Sequence, residues 1–560
     1  MILRGGLERR AHPATVAGAL THGTTAAAAT ARAVRITRLW RYLPAAVAAC
    51  YLLVLATQLS ALFRGNSANA DAVAPYLLAR LISSHHGTVW LGDSAWYSSL
   101  LFDIATRSLP VYRVVWESAP FVASAITIAA TAWSVRQVAG RWASVVTLSL
   151  LTCGGAALLD NLTMLNDHVL TWCSSSLLIA GLVRVLDPHR PIRRSRWVPS
   201  AVAIAMFVAF NLASDPLLYP AGVVPVLVGA LAAHRTMRSQ RGREGVWYAL
   251  LTVGLALVGS VVLLHLMREN RFEVAAGFRI GLVRPSRLLG NLGDWWHSVT
   301  WLGGGSGATA GGLLASILGP VAGVLTAAMV VLVPLVVAQE QRPPQAAAAG
   351  DERDRHLAGV RRGFVLATAS AAVLISAAFV FSNLPDGQST ARYVIGVVFA
   401  AAALAPFLAR GPRSAAVIAV AATIYCVSGL VAVAGSSAQA SQTPTQAEAN
   451  TFLALAKREH VSHGYSGYWD AGPITWETRF KLRVYPVRTC GPLLCRYPNA
   501  SESVWYSHRH DGRTFVITDT SKPFLHRAPE TLGTPVASFR VGRSYVFAVY
   551  DYEIVDRMVR

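Results

Sequence analysis

Residues 246–266 read VWYALLTVGLALVGSVVLLHL, an apolar stretch without Lys, Arg, Asp or Glu. About 20 such residues cross a bilayer as an α-helix, because each residue rises about 1.5 Å and the hydrocarbon core is roughly 30 Å thick. This stretch therefore predicts a transmembrane helix, and the same test can be applied along the whole chain.

Similar apolar stretches recur from one end of the sequence to the other. Of the 560 residues, 53% are hydrophobic and only 14% are charged, whereas soluble proteins carry about a quarter charged residues. The composition predicts a polytopic α-helical membrane protein with about eleven transmembrane helices. The predicted spans lie near residues 43–63, 116–135, 143–160, 169–186, 198–214, 217–234, 246–266, 312–337, 363–382, 393–409 and 414–435.

The net charge of +21 is concentrated in alternate loops between these spans. Loops such as DPHRPIRRSR (187–196) and HRTMRSQRGRE (234–244) are basic, whereas NLTMLNDH (161–168) and SNLPDGQSTARY (382–393) on the other side are poorer in Arg. Because Lys and Arg collect in cytoplasmic loops, the pattern predicts an N-terminus inside and a C-terminus outside. No signature of a nucleic-acid-binding module accompanies the positive charge.

The composition changes near residue 436, where small polar residues replace the apolar runs. Beyond this point, stretches such as TFVITD (514–519) and SYVFAVYDYEI (544–554) predict strands of a small α/β domain. The predicted organisation is a disordered cytoplasmic N-terminus (1–38), a transmembrane domain (39–435) with long outer loops at 64–115 and 267–311, a linker (436–446) and an extracytoplasmic α/β domain (447–560).

Ionisable side chains in the predicted outer loops are the candidates for chemistry, because charges near a membrane are costly and so tend to be functional. They come from five loops that open on the same face and could line one cavity. These candidates are Asp71, His85, His86, Asp93, Asp160, Asp167, His168, Asp215, Asp386 and Arg392.

Each of the main candidates has a functional and a structural interpretation. Asp71 could act as a general base on a hydroxyl, or it could cap the helix predicted at 71–82. Asp167 and His168 carry ligand types for divalent metals and with Asp71 could hold one ion, or they could form a solvated turn. Arg392 could bind a phosphate by charge-assisted hydrogen bonds, or it could extend to the membrane interface.

The predicted outer domain adds aromatic and sulfur-bearing candidates. Tyr468, Trp469 and Trp476 could stack on sugar rings and so bind an acceptor, or they could be core aromatics. Cys490 and Cys495 have a spacing compatible with a disulfide in an oxidising compartment. The usual sequence motifs of hydrolases, ATPases and dehydrogenases do not appear in a fitting context.

Three of these features together resemble a known superfamily. Asp71 in NADAVAPYLLA opens the first outer loop, Asp167 in NDH lies in the next short outer loop, and Arg392 in QSTARYVIGVVFA begins a late span. With a closing outer domain, the chain is similar to the GT-C integral-membrane glycosyltransferases, which include protein mannosyltransferases, aminoarabinose transferases and actinobacterial arabinosyltransferases.

The resemblance implies an enzyme that moves a sugar from a polyprenyl-phosphate donor in the bilayer to a hydroxyl of a glycan or protein acceptor. It implies a plasma-membrane protein that works on the outer face. Asp71 would be the general base. The first loop lacks the paired acids of many members, so Asp93 is the alternative base.

The resemblance also suggests roles for the remaining candidates. Asp167 and His168 would bind a divalent metal (Mn, Mg, Ca or Zn), as the second acidic position does in some members. Arg392 would stabilise the departing phosphate, and we assign donor binding to His85 and His86 as well.

Two other classes of function remain open. A transporter or flippase of lipid-linked glycans would place polar residues deep within its spans. A non-catalytic scaffold would use the outer aromatic residues to bind envelope glycans.

Overall fold

The fold is described from a computed structural model. It covers residues 42–67, 70–82, 87–92, 96–163, 168–187, 194–237, 239–274, 281–305, 312–341, 352–385, 390–435, 445–507, 512–521 and 525–558. The predicted disorder at 1–38 lies outside these ranges, as does most of the predicted linker.

Helices dominate the chain up to residue 435. They are α1 (Leu43–Ser67), α2 (Ala70–Leu81), α3 (Trp96–Thr106), α4 (Tyr112–Thr152), α5 (Ala156–Leu162), α6 (Leu170–Leu186), α7 (Arg194–Ser214), α8 (Val224–Met237), α9 (Gln240–Glu269), α10 (Leu288–Thr300), α11 (Gly312–Val331), α12 (Val333–Gln341), α13 (Glu352–Phe381), α14 (Ile395–Leu404) and α15 (Pro412–Gly435).

The prediction of a polytopic α-helical membrane protein is confirmed. Within the described ranges, seven helical segments are long and apolar enough to cross a bilayer, and two shorter apolar helices lie in α1 and α6. The predicted number of about eleven also counts 217–234 and treats 116–135 and 143–160 as separate spans. The structure explains why 116–135 and 143–160 were predicted as separate spans, because α4, which contains most of both, is interrupted at Gly140.

The helix α4 is a helical hairpin rather than one rod. Gly140 has φ 87°, a left-handed conformation that glycine adopts without a steric cost. The hydroxyl of Ser144 donates to the carbonyl of Ala132 at 2.8 Å, although 12 residues along a straight helix would separate these positions by about 18 Å. The chain therefore reverses direction at Gly140, and its two arms pack side by side.

The C-terminal region forms the predicted α/β domain. Two helices, α16 (Gln446–Arg458) and α17 (Tyr468–Glu477), accompany a six-stranded mixed sheet. In order across the sheet, the strands are β5 (Leu493–Arg496), β4 (Arg483–Cys490), β3 (His463–Gly467), β7 (Thr514–Asp519), β9 (Tyr545–Tyr550) and β8 (Ala537–Val541). The central strands β4, β3 and β7 are parallel, and the outer pairs are antiparallel.

A second, small sheet joins three distant parts of the chain. β1 (Val89–Leu91) comes from the first long loop, β2 (Phe272–Val274) from the second, and β6 (Ser501–Glu502) from the C-terminal domain. β1 pairs with both of the others. Because the three strands share backbone hydrogen bonds, both long loops and the C-terminal domain lie on one side of the membrane.

Aromatic side chains attach the C-terminal domain to α2 and α4. The ring of Trp476 meets Tyr76 edge-on at 4.9 Å and Trp116 at 5.1 Å between centroids. All three side chains are buried in one cluster with Val73 and Leu77. Such aromatic pairs add about 0.5–1.5 kcal/mol each beyond the burial of their area.

We expect Trp476→Ala to lower the free energy of unfolding by about 3–5 kcal/mol, because it leaves a cavity in this cluster. The measurement is the thermal unfolding of the purified chain in detergent. Trp469→Ala, which removes a 38% exposed ring from α17, the helix that also contains Trp476, is the matched control and should cost much less. Equal losses in the two variants would contradict this role of Trp476.

Candidate functional site

The first element of the site is a hydrogen bond between the two domains. Asp71 lies in the first turn of α2, where the helix dipole favours a negative charge. The hydroxyl of Tyr468, the first residue of α17, donates to the Asp71 carboxylate. Tyr468 is buried and Asp71 is half-buried. A carboxylate of the membrane domain is thus oriented by a side chain of the C-terminal domain.

A glycine allows this close approach. A Cβ atom at Gly472 would lie 3.2 Å from side-chain carbons of both Leu77 and Val73. Because glycine has no side chain, α17 can pack directly on α2 at this point. The contact fixes the relative position of Asp71, two residues before Val73, and Tyr468, four residues before Gly472.

The second element is a buried pair next to the N-terminal end of α6 and the C-terminal end of α7. Nδ1 of His168 lies 2.6 Å from Oδ2 of Asp215, and the hydroxyl of Thr171 donates to the same oxygen. The backbone N–H of Leu217 donates to Oδ1 of Asp215 at 3.0 Å. Both carboxylate oxygens therefore have partners, as a buried charge requires.

The environment of Asp215 favours its ionised form. Burial by itself would raise its pKa, but the charge and hydrogen bond of His168, with the bonds from Thr171 and Leu217, lower the pKa below the usual value. His168 adopts φ 64°, an unusual conformation for a residue other than glycine. The ion pair and its hydrogen bonds hold the imidazole in this turn.

Tyr393, the residue after Arg392, lies beside this pair. The ring of Tyr393 is 4.8 Å from the ring of His168, between centroids. The guanidinium carbon of Arg392 lies 5.4 Å from the centre of the Tyr393 ring, a distance typical of a cation–π contact. The last predicted outer loop thus meets the loop that contains His168.

The helix α3 connects these residues to α2. The hydroxyl of Ser98 lies 3.1 Å from that of Ser214, which immediately precedes Asp215. On its other side, α3 packs Trp96 and Leu100 into one hydrophobic cluster with Ala74 of α2. The structure therefore links Asp71, His168, Asp215 and Arg392 through neighbouring elements at one end of the helical bundle.

Of the remaining ionisable candidates, one is described and the others are not. Asp160 is described and is exposed on α5. The residues that lie outside the described ranges are His85, His86, Asp93, Asp167 and Asp386.

The predicted metal set remains a prediction, because one of its members, Asp167, is outside the described ranges. Among the residues that are described, no group of three or more His, Cys, Asp or Glu side chains is arranged to hold a metal. Nδ1 of His168 is engaged by Asp215. Orientation of a ligating imidazole by a carboxylate is common in metal sites.

The aromatic candidates separate by burial. Trp469 is 38% exposed, whereas Trp476 is 4% exposed. Because no face of the Trp476 ring is open to a sugar, its assignment to acceptor binding is not retained. Tyr468 is also buried, and its hydroxyl donates a hydrogen bond to the Asp71 carboxylate. Cys490 and Cys495 are joined by a disulfide with a Cα–Cα distance of 5.9 Å.

One acidic residue near the site was missed from the sequence. Asp103 of α3 is 1% exposed, and neither carboxylate oxygen has a hydrogen-bond partner in the described part of the chain. Burial raises the pKa of Asp103 well above its usual value. The sequence feature that could have indicated a buried acid is the position of Asp103 in the largely apolar stretch WYSSLLFDIAT (96–106), one helical turn after Ser99.

Comparisons with known proteins give distant structural similarities. A scan against protein-family models and a search of curated proteins find no match. ArnT from Cupriavidus metallidurans bound to undecaprenyl phosphate is similar with a TM-score of 0.47 and 12% identity, over 89% of this chain and 97% of ArnT. The apo form of the same ArnT gives a TM-score of 0.40 at 12% identity with the same coverage.

Archaeal oligosaccharyltransferase is a second similar protein. The enzyme of Archaeoglobus fulgidus in complex with Zn and sulfate gives a TM-score of 0.42 and 11% identity, over 75% of this chain and 57% of that one.

We expect Asp215→Asn to destabilise the fold by about 3–5 kcal/mol, because it removes one partner of a buried charged pair. The measurement is thermal unfolding, with Asp551→Asn as an exposed control that should change little. Since the pKa of Asp215 is lowered, the loss should hold above about pH 4 and close at lower pH, where the native carboxylate is protonated. An unchanged midpoint at pH 7 would contradict the role of the pair.

In contrast to Asp215→Asn, Asp103→Asn should raise the free energy of unfolding. Because the native state keeps a proton on Asp103 that the unfolded state releases above about pH 4, native stability falls by about 1.4 kcal/mol per pH unit up to the raised pKa. Asn needs no proton, so the advantage of the variant should grow from pH 4 to pH 7. Unfolding midpoints of both proteins across this range measure the effect, and a difference independent of pH would contradict it.

Proposed function

We propose that this chain is a GT-C-like glycosyltransferase that moves a sugar from a polyprenyl-phosphate donor to a hydroxyl of a cell-envelope acceptor on the outer face of the plasma membrane. The observation that supports it most directly is the Asp71 carboxylate, held by Tyr468 where the membrane and C-terminal domains meet. The Asp215–His168 pair and Arg392 lie at the same end of the bundle.

Asp71 has the chemistry of a general base. Its carboxylate would accept the proton of the acceptor hydroxyl as that oxygen bonds to the anomeric carbon of the donor sugar. One carboxylate oxygen accepts a hydrogen bond from Tyr468, which fixes the orientation of the group. The position between two domains suits an acceptor that arrives from outside while the donor lipid stays in the bilayer.

Arg392 has the chemistry to stabilise the leaving group. When the bond between the anomeric carbon and the phosphate oxygen breaks, the electron pair stays on the lipid phosphate. A guanidinium at the outer end of a membrane span stabilises this charge by charge-assisted hydrogen bonds. Arg392 lies in the 3₁₀ turn Ala391–Val394 that leads into α14, at the level where a phosphate on a lipid would sit.

The metal implied by the resemblance would be held by His168 with Asp167 and Asp71. It would supply positive charge near the donor phosphate. His168 fits this role in part, because Asp215 orients its imidazole. No step proposed here depends on such a metal.

Exchange of the candidate bases tests the proposal. We expect Asp71→Asn to lower sugar transfer by about 10²–10⁴-fold, since it removes general-base catalysis. The assay follows release of free polyprenyl phosphate by mass spectrometry, from proteoliposomes given a panel of polyprenyl-phosphate hexoses and pentoses and an envelope-glycan fraction. Asp551→Asn is the matched control for the loss of an exposed carboxylate.

The same panel separates the alternatives. Loss of transfer in Asp93→Asn with full activity in Asp71→Asn would make Asp93 the base. Full transfer in Asp71→Asn, Asp93→Asn and Asp167→Asn would contradict the proposed enzyme. A scaffold would instead lose glycan binding in Trp469→Ala, and a flippase would move the donor across the bilayer without releasing polyprenyl phosphate.

A further inference from the structure

A pocket lies at the opposite end of the bundle from Asp71. It has a volume of about 320 Å³, and its lining includes Trp142, Arg361, Phe407, Arg410 and Gly411. Arg392 and Arg410 stand at opposite ends of the span that contains α14, which runs from Thr390 to Leu408. The pocket is therefore separated from the proposed transferase site by the thickness of the bundle.

The pocket opens at the level where lipid headgroups lie. One candidate span ends at Leu408 and the next begins at Pro412, so Arg410 occupies the short connection between them. The α4 hairpin turns at Gly140, two residues before Trp142. Turns and span ends mark the boundary between hydrocarbon and water, where phosphates of lipids are found.

The charges around the pocket leave it positive. Arg361 is paired with Glu340, at 2.7 Å between Nη2 and Oε1. The same guanidinium lies 5.0 Å from the centre of the Phe407 ring, which helps to fix its position. Arg410 is exposed, and the described residues provide no carboxylate partner for it. Two cations, Arg361 and Arg410, and one anion, Glu340, leave a net positive charge that is complementary to a single negative charge.

The remaining lining fits a group that is polar at one end and apolar at the other. The indole N–H of Trp142 is buried and has no hydrogen-bond acceptor within the described part of the chain. It is a ready donor to a phosphate oxygen. The rest of the lining is mostly alanine and proline with Phe407, which suits a glycerol backbone and the first carbons of acyl chains.

We infer that this pocket binds the phosphate headgroup of an anionic phospholipid from the leaflet opposite the proposed transferase site. Arg410 and Trp142 donate hydrogen bonds to the phosphate, and Arg361 contributes from a position fixed by Glu340. The inference is independent of the proposed transferase activity, because it uses none of the residues of that site.

The test uses the full-length chain, purified in detergent and stripped of lipid. Dioctanoyl phosphatidylglycerol should raise the unfolding midpoint in a saturable manner. The same titration with dioctanoyl phosphatidylcholine measures the effect of a zwitterionic headgroup, and titrations with inorganic phosphate and glycerol 3-phosphate measure the effect of phosphate without a lipid.

Two substitutions and one control locate the effect. Arg410→Gln and Trp142→Phe should each weaken the apparent affinity for phosphatidylglycerol at least about fivefold, because each removes a donor to the charged phosphate. Arg413→Gln removes a neighbouring exposed arginine that does not line the pocket and should leave the affinity unchanged. Phosphatidylglycerol retained by each variant, counted by native mass spectrometry, gives a second readout.

Three results would overturn the inference. Equal affinity in Arg410→Gln and Arg413→Gln would place the lipid elsewhere. An equal shift with phosphatidylcholine would show that headgroup charge does not matter. An equal shift with inorganic phosphate or glycerol 3-phosphate would assign the pocket to a soluble phosphate instead of a lipid.

Discussion

The packing of the C-terminal domain on α2 is the contact on which the candidate site depends. Trp476 enters an aromatic cluster with Tyr76 and Trp116, and Gly472 allows the two helices to touch. Only in this arrangement can the hydroxyl of Tyr468 reach Asp71, nearly 400 residues away in the chain. A small change in the docking of the domain would separate the two groups, because a hydrogen bond tolerates only a few tenths of an ångström.

A second constraint acts where α6 begins and α7 ends. Asp215 and His168 are both buried where apolar helices end, and the Asp215 carboxylate could not remain ionised there without partners at a tolerable cost in free energy. Their pairing, completed by Thr171 and Leu217, joins α6 to α7 and positions the ring of Tyr393 beside His168. The same interactions that satisfy buried polar groups therefore arrange the residues available for chemistry.

Much of the fold and part of the site could be predicted from patterns within short stretches. Apolar runs indicated the helices, and the change in composition near residue 436 indicated the C-terminal sheet domain. Asp71, His168, Asp215 and Arg392 were recognised as candidates because ionisable residues at the ends of apolar runs are uncommon. Asp103 was missed, since its burial depends on how α3 packs in the folded chain. Trp476 was taken as a ligand-binding ring, because a buried and an exposed tryptophan look the same in a sequence.

The sequence by itself determined the membrane class, the positions of most helices and the set of ionisable candidates at the ends of apolar runs, because hydrophobicity and charge act through local composition. Only the tertiary structure decided which candidates meet. The pairing of β1 with β2 and β6, the contact of Tyr468 with Asp71 and the pair of His168 with Asp215 all join residues far apart in the chain. Such contacts depend on how helices pack and on which buried polar groups find partners, and these are properties of the whole folded chain.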